Sequence, residues 1–236
     1  MEPEAVDLTR TSVFLDFDGT ITTVDADIHL LERLAPPEWR GIDEEFRRGE
    51  IGSRVCLLDT WDLLAPDEAA MRSVYREVPI DPDTRALLDA LRAAGAEVTV
   101  VSDGFGFYAR EVCAALEVPV LTNDVDWSTG RLEFPHEDRC CACSSCGVCK
   151  QAPIKDAKYR GRTTVLVGDG ASDYKAALLA DVVFAKVANV SEAGIPPSSE
   201  RPVRVGTLAA WCARNGIRHV PYSTLGDVLD ALVTAR

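Results

Sequence analysis

Three short apolar runs punctuate the chain: Ser12 to Leu15, Ala96 to Val101 and Thr163 to Val167. Each is rich in β-branched residues and lacks the strict alternation of a half-exposed strand. Each therefore predicts a strand buried on both faces of a parallel sheet. Asp181 to Ala185 predicts a fourth strand, and Ile217 to Val220 a short fifth. Helical spacing fills the intervals. Pro82 to Ala94 places Leu87, Leu88 and Leu91 on one face and stops at Gly95, a residue suited to the left-handed turn that ends a helix. Ser172 to Ala180 and Leu225 to Val233 predict further helices. Strands alternating with helices point to an α/β, doubly wound fold.

Two segments break the alternation. Residues 22–80 are mostly helical in pattern, with Ile28, Leu30, Leu31 and Leu34 early and Val55, Leu57, Leu58, Trp61 and Leu64 later. That is far too long for a connection between strand and helix. It predicts a helical cap (22–80) inserted after the first strand of a core made of residues 1–21 and 81–236. Val120 to Phe134 predicts a β-hairpin turning at Ser128, Thr129 and Gly130. Ser191 to Pro202, with three prolines among Ser and Glu, reads as an exposed loop.

Composition narrows the class. At 236 residues and 47% hydrophobic, the chain can bury enough surface to fold without disulfides or metals. A net charge of -13 argues against coating of nucleic acid and against an anionic membrane surface. Met1 to Arg10 is acidic, with no apolar signal-like stretch, and no apolar run approaches the ~20 residues of a membrane span. The expectation is a soluble, cytoplasmic protein with neither nucleic-acid nor membrane partners. The charge is uneven, however. Arg139 to Lys175 holds seven basic and three acidic residues, a net of +4, leaving -13 - 4 = -17 elsewhere. That local excess predicts a place for an anion.

Five of the eight cysteines (Cys140, Cys141, Cys143, Cys146 and Cys149) fall within ten residues, while Cys56, Cys113 and Cys212 read as small buried hydrophobes. The cluster could supply thiolates to a structural Zn2+, with His136 as a substitute ligand. Structural zinc usually draws ligand pairs from two separated knuckles, so the compressed spacing favours a reduced loop beside Lys150.

The chemistry concentrates at strand ends, where doubly wound sheets bind ligands. The first strand runs into Asp16-Phe17-Asp18-Gly19-Thr20, the second into Ser102-Asp103-Gly104, and the third into Gly168-Asp169-Gly170-Ala171-Ser172-Asp173. Asp16 and Asp18, two apart, face one way if extended geometry persists, and two such carboxylates repel unless a cation joins them or one is protonated. Asp169 and Asp173 are spaced to share a face at a helix start. Clustered hard oxygens suit Mg2+ better than zinc or copper. Gly19, Gly104 and Gly170 let backbone N–H groups approach an anion. Carboxylates, a hard dication and anion-binding turns together describe phosphoryl transfer. Asp25 and Asp27, on an acidic helix of the cap, could face the site, but that composition favours a solvated reading.

In order, the first two of these segments, a later lysine and the third segment resemble the four motifs of the haloacid dehalogenase superfamily, over Val13 to Asp173. The cap position resembles the phosphoserine-phosphatase-like branch. A closer likeness, carried by Ala35-Pro36-Pro37-Glu38-Trp39, the cysteine run ending Cys149-Lys150, and His219-Val220-Pro221-Tyr222, is to the 2-hydroxy-3-keto-5-methylthiopentenyl-1-phosphate phosphatases of methionine salvage. The resemblance implies a HAD-like Rossmannoid core and a Mg2+-dependent phosphomonoesterase acting on a small phosphorylated metabolite, alone or as a homodimer. Asp16 would be the nucleophile, and Asp18 the general acid and base. Mg2+ would sit on Asp16, the Asp18 carbonyl and Asp169. Thr20, Ser102, Gly104 and Lys150 would serve the phosphate, and Asp173 would support the lysine or the metal. Lys150 matches the family's Cys-Lys pattern, with Lys155 in reserve. Asp103 departs from the glycine common in close relatives. Phosphoserine phosphatase and phosphoethanolamine/phosphocholine phosphatase stand as alternatives. A phospho-acceptor or zinc-binding module without turnover is the non-hydrolase alternative.

Overall fold

The computed structural model describes residues 6–136, 145–187 and 207–234. Among them, β1 (Thr11–Leu15) lies between β2 (Glu97–Val101) and β6 (Thr163–Gly168), with Leu15 opposite Val100 on one side and Val167 on the other. Strands β3 (Val120–Leu121), β7 (Val182–Lys186) and β8 (Val220–Tyr222) complete a six-stranded parallel sheet in the order β3-β2-β1-β6-β7-β8. The order reverses at β1, so the ends of β1 and β6 border the crevice where such folds bind ligands.

The continuous apolar runs are explained by two layers that use alternate residues. Val13, Leu15, Val98, Val100, Val165 and Val167 pack under α5 (Thr84–Ala93), α6 (Phe107–Ala115) and α10 (Leu225–Leu229). Phe14, Val101, Leu166 and Val183 face the opposite way, against α7 (Gln151–Tyr159), α8 (Tyr174–Ala177) and α9 (Thr207–Arg214). A strand with helices on both faces has no polar side to show.

Four helices follow β1 before the sheet resumes: α1 (Ala26–Leu34), α2 (Trp39–Arg48), α3 (Ser53–Asp62) and α4 (Glu68–Tyr75). They enclose a core of their own around Leu30, Trp39, Leu57, Trp61, Met71 and Tyr75. The chain enters and leaves this insert through two segments that pair with each other. Thr22 bridges Ile80, the Thr23 N–H donates to the Pro79 carbonyl (2.9 Å), and the Asp81 N–H donates to that of Ile21 (2.8 Å).

The hairpin expected over Val120 to Phe134 divides in two. Val120–Leu121 is an edge strand of the main sheet, and the hairpin proper pairs β4 (Asp124–Asp126) with β5 (Arg131–Glu133). Its turn residue Gly130, at φ +69°, accepts from the Trp61 indole at 2.9 Å, and Trp127 packs on Trp61 and Phe107. The hairpin is thus a wall of the insert's core.

Three other boundaries differ from expectation. The fifth strand begins at Val220, because the Ile217 N–H is taken by the Cys212 carbonyl closing α9. The helix expected from Ser172 to Ala180 is a 3-10 turn, Ala171–Asp173, followed by the short α8. The helix expected through Val233 ends at Leu229 and widens into a π turn over Asp230–Thr234. The 191–202 loop lies outside the described residues. Among those described, no helix is long and apolar enough to cross a membrane.

Leu87 is fully buried between α5 and the sheet. Truncating it removes contacts and leaves a cavity, so Leu87→Ala should cost about 2–5 kcal/mol. Urea unfolding should show this as a lower midpoint at unchanged slope.

Candidate active site

Adjacent pairing of β1 and β6 brings their C-terminal carboxylates together. The Asp16 N–H still donates to the Val167 carbonyl (2.9 Å), so Asp16 stays in register with the sheet while its side chain enters the crevice. One carboxylate oxygen each from Asp16, Asp169 and Asp173 lie within 4.8 Å of one another. Lys150 joins this set: its Nζ is 2.6 Å from Asp16 Oδ1 and 2.8 Å from Asp173 Oδ1, and it donates to Ser172 Oγ at 2.9 Å. Its side chain is only 3% exposed, so water contributes little to holding that charge.

Asp173 is positioned by its own loop. Its Oδ2 accepts from the N–H groups of Asp169 (3.1 Å) and Gly170 (3.2 Å), turning the side chain back under the strand end. A side chain at Gly168 would sit 2.3 Å from Asp173 Oδ2, so glycine is needed to admit that carboxylate. This replaces the expectation of a shared helix face, since both aspartates precede α8. On the other side, Gly19 (φ +76°) lets the β1 loop turn over Asp169, whose Oδ2 would lie 2.4 Å from any added Cβ. The Lys186 ammonium donates to the Gly19 carbonyl at 2.7 Å. Lys186 thus supports the loop that follows β1 from the end of β7.

Burial pushes the Asp16 carboxyl well above the ordinary carboxylate range, and Asp173 adds to this while Lys150 pulls it back. Burial, and then Asp173, lift Asp169 to about 7. For Lys150 burial works to lower the pKa, but Asp16 and Asp173 outweigh it and hold the ammonium charged. Counted as ionised, three carboxylates and one ammonium leave -3 + 1 = -2. A set of hard oxygens with two uncompensated charges fits one magnesium-like dication. Asp173 receives Lys150 and two backbone donors, while Asp16 receives Lys150 and the Phe17 N–H on one oxygen, Oδ1; Asp16 and Asp169 belong to the carboxylate set that could hold an ion.

Asp18 turns away from that cluster. Its Oδ2 accepts from Ser102 Oγ at 3.2 Å, and the Gly104 N–H donates to the same hydroxyl at 3.3 Å. Burial, and then Asp27, hold the Asp18 carboxyl well above its ordinary value, which favours its protonated form. Asp27 corrects the expectation of a solvated cap residue. It accepts from the Tyr75 hydroxyl (2.6 Å) and the Phe105 N–H (2.9 Å), and a Cβ on Gly104 would lie within 3 Å of both the Asp27 and Asp18 carboxylates. Asp25 caps α1 by accepting from the Ile28 N–H at 2.9 Å.

Several sequence expectations change here. Thr20 is fully buried, with its hydroxyl 3.4 Å from that of Tyr222, so it props the loop rather than facing a phosphate. Lys155 is exposed, and Lys150 is the lysine that reaches the cluster. Apart from Lys150, three basic residues of that stretch pair elsewhere. Lys158 pairs with Asp181, while Arg160 and Arg162 pair with Glu97. Cys140, Cys141 and Cys143 lie outside the described residues, and among those described the one candidate metal group is the carboxylate set. A zinc site finds no support there. Cys149 is buried beside Lys150, and Cys146 lies 3.9 Å from the Lys175 ammonium.

Comparison with known proteins adds a family to this geometry. Residues 13–178 match the model of the haloacid dehalogenase-like hydrolases. A 2-hydroxy-3-keto-5-methylthiopentenyl-1-phosphate phosphatase from an Exiguobacterium species is 29% identical over 227 residues, covering 92% of this chain and 95% of that one. Among solved structures, a HAD family hydrolase from Salmonella enterica serovar Typhi superposes with a TM-score of 0.70 at 15% identity, over 98% of this chain and 74% of that one. A phosphoserine phosphatase from T. onnurineus gives 0.64 at 19% identity, over 98% and 97%.

Asp27 supplies a pH signature. Burial, and then Asp25, raise its folded-state pKa to about 7, above the ordinary 3.8. The folded state therefore binds the extra proton between those values, and stability attributable to this group is lost as pH rises through 7. Asp27→Asn removes that penalty. Its melting temperature relative to the parent should improve from pH 5 to pH 8, as read by thermal scans across that range.

Proposed function

From a chain that belongs to the haloacid dehalogenase-like hydrolase family, we propose a Mg2+-dependent phosphomonoesterase that works through an aspartyl-phosphate on Asp16. The observation that carries this reading is the Lys150 ammonium held between Asp16 and Asp173 at the end of β1. It pairs one carboxylate at the crevice with an ammonium, with a second, protonatable carboxyl two residues on.

In the first step an Asp16 oxygen bonds to phosphorus and the bond to the leaving oxygen breaks, while Asp18 gives that oxygen its proton. In the second, Asp18 takes a proton from water, whose oxygen attacks phosphorus, and the Asp16–phosphorus bond breaks to release phosphate. Lys150 and Ser102 offset charge on the transferring group, and Ser102 also orients Asp18. Mg2+, held by Asp16, Asp169 and the Asp18 carbonyl, would supply further charge neutralisation when bound. Asp173 keeps Lys150 in place. The insert of residues 22–80 acts as a cap that selects the leaving group over a core of residues 1–21 and 81–236.

For the substrate, the relatives' name supports 2-hydroxy-3-keto-5-methylthiopentenyl-1-phosphate; we propose that the reaction belongs to methionine salvage in the cytoplasm. A second reading rests on charge. Asp18 and Asp27 converge on Gly104 with Asp25 nearby, an acidic wall that suits a cationic leaving group such as that of phosphoethanolamine or phosphocholine.

Asp16→Asn should lower turnover of a generic aryl phosphate by about three orders of magnitude or more. Lys150→Ala should cost about a hundredfold or more, and Lys155→Ala should stay within about twofold. Equal losses at the two lysines would sink the assignment. Chelation should abolish activity and Mg2+ restore it. Comparing kcat/KM for the enol phosphate, phosphoserine and phosphoethanolamine separates the substrate readings.

A further inference from the structure

Asp103 joins three parts of the molecule through one carboxylate. Its Oδ2 accepts from Ser53 Oγ at 2.5 Å, at the first residue of α3 in the insert. Its Oδ1 accepts from the Val148 N–H at 2.7 Å, in the segment that runs into Lys150, and from Asn123 Nδ2 at 3.5 Å. Asn123 also donates to the Gly104 carbonyl at 2.7 Å, anchoring the loop that carries Asp103.

The backbone around this carboxylate is built for close approach. The Arg54 N–H donates to the Ser145 carbonyl at 3.2 Å, so the start of α3 also touches the Lys150 segment directly. A Cβ on Gly52 would lie 2.2 Å from the Ser145 carbonyl oxygen, and one on Gly147 would lie 2.7 Å from Asp103 Oδ1. Neither position has room for a side chain. Val148 stands two residues before Lys150, and both are buried. Whatever fixes the Val148 backbone therefore limits where the ammonium can reach.

We propose that Asp103 is a positioning residue that latches the helical insert onto the core and, with the same carboxylate, holds the Lys150 segment in reach of Asp16. Seating of the insert and assembly of the Lys150–Asp16 pair are then one event, because Ser53 and Val148 share an acceptor. A hydrogen bond to a buried charged acceptor is strong enough for its loss to be read as a change of about tenfold or more. The catalytic consequence rests on the role of Lys150 proposed above; the mechanical coupling does not.

The test uses the full chain with Ser53→Ala, Asp103→Ala, Asp103→Asn and the Ser53→Ala/Asp103→Ala double variant. With an aryl phosphate, Ser53→Ala should raise KM more than it lowers kcat. Asp103→Ala should lower kcat by about tenfold and raise KM as well, and the double variant should be no worse than Asp103→Ala. Asp103→Asn should recover most of kcat, since its amide oxygen still accepts from Val148 while its NH2 can donate to Ser53. Amide hydrogen exchange supplies a readout independent of turnover. Asp103→Ala should deprotect α3, and Ser53→Ala should deprotect Val148, to which the Ser53 side chain makes no bond of its own. Should Asp103→Ala not fold, the Val148 amide in Ser53→Ala decides alone. Unchanged Val148 protection there, or additive losses in the double variant, would overturn the latch. An inactive parent with coupled exchange would instead overturn the phosphatase reading and leave the latch standing.

Discussion

A single ammonium holds the centre of this molecule together. Lys150 is buried against two carboxylates that would otherwise repel each other at the end of a hydrophobic sheet, with a third beside them. Burying any of these charges alone costs several kcal/mol, and the cost is tolerable only where partners and backbone donors are already in place. The loops around the site can be understood as that preparation. Asp173 is turned back by the N–H groups of residues 169 and 170, Gly168 and Gly19 open space for two carboxylates, and Lys186 clamps the β1 loop from the far side.

The charge is deliberately incomplete. With one lysine against three aspartates, the cluster could hold a dication. Asp18 sits just outside it, and its neighbours are acidic rather than basic. Burial raises both carboxyls, two residues apart on one loop, but it gives them different partners. Asp16 faces an ammonium, and Asp18 faces Ser102 and Asp27.

The helical insert is attached as firmly by side chains as by its chain connections. Asp27 accepts from the Phe105 N–H, Trp61 reaches the hairpin, and Ser53 reaches Asp103. Phe105 and Phe107, which follow the Ser102 loop in the core, belong to the insert's hydrophobic cluster. Whatever moves the insert must therefore be felt at the loop between β2 and α6, where Ser102 and Gly104 lie.

Much of this was legible along the chain because its physics is local. Five main-sheet strands, the long insert and three acidic strand ends follow from β-branched runs, helical spacing and glycine beside carboxylates, patterns set within a few residues. The strand ends also singled out Asp16, Asp18 and Asp169, and the resemblance's Cys-Lys pattern singled out Lys150. What needed the tertiary structure was each case in which a partner lies far away in sequence. Thr20 turns inward because Tyr222 lies beneath it, 202 residues on, and Lys158, Arg160 and Arg162 leave the site because Asp181 and Glu97 attract them. Asp27 is drawn in by Tyr75 and Phe105, and Asp103 finds its donors 50 residues before it and 45 after. Periodicity assigns a side chain to a face of its own element. Whether that face meets water, a hydroxyl or another charge is decided only when distant elements pack, and for an ionisable group that meeting sets both its burial and its protonation.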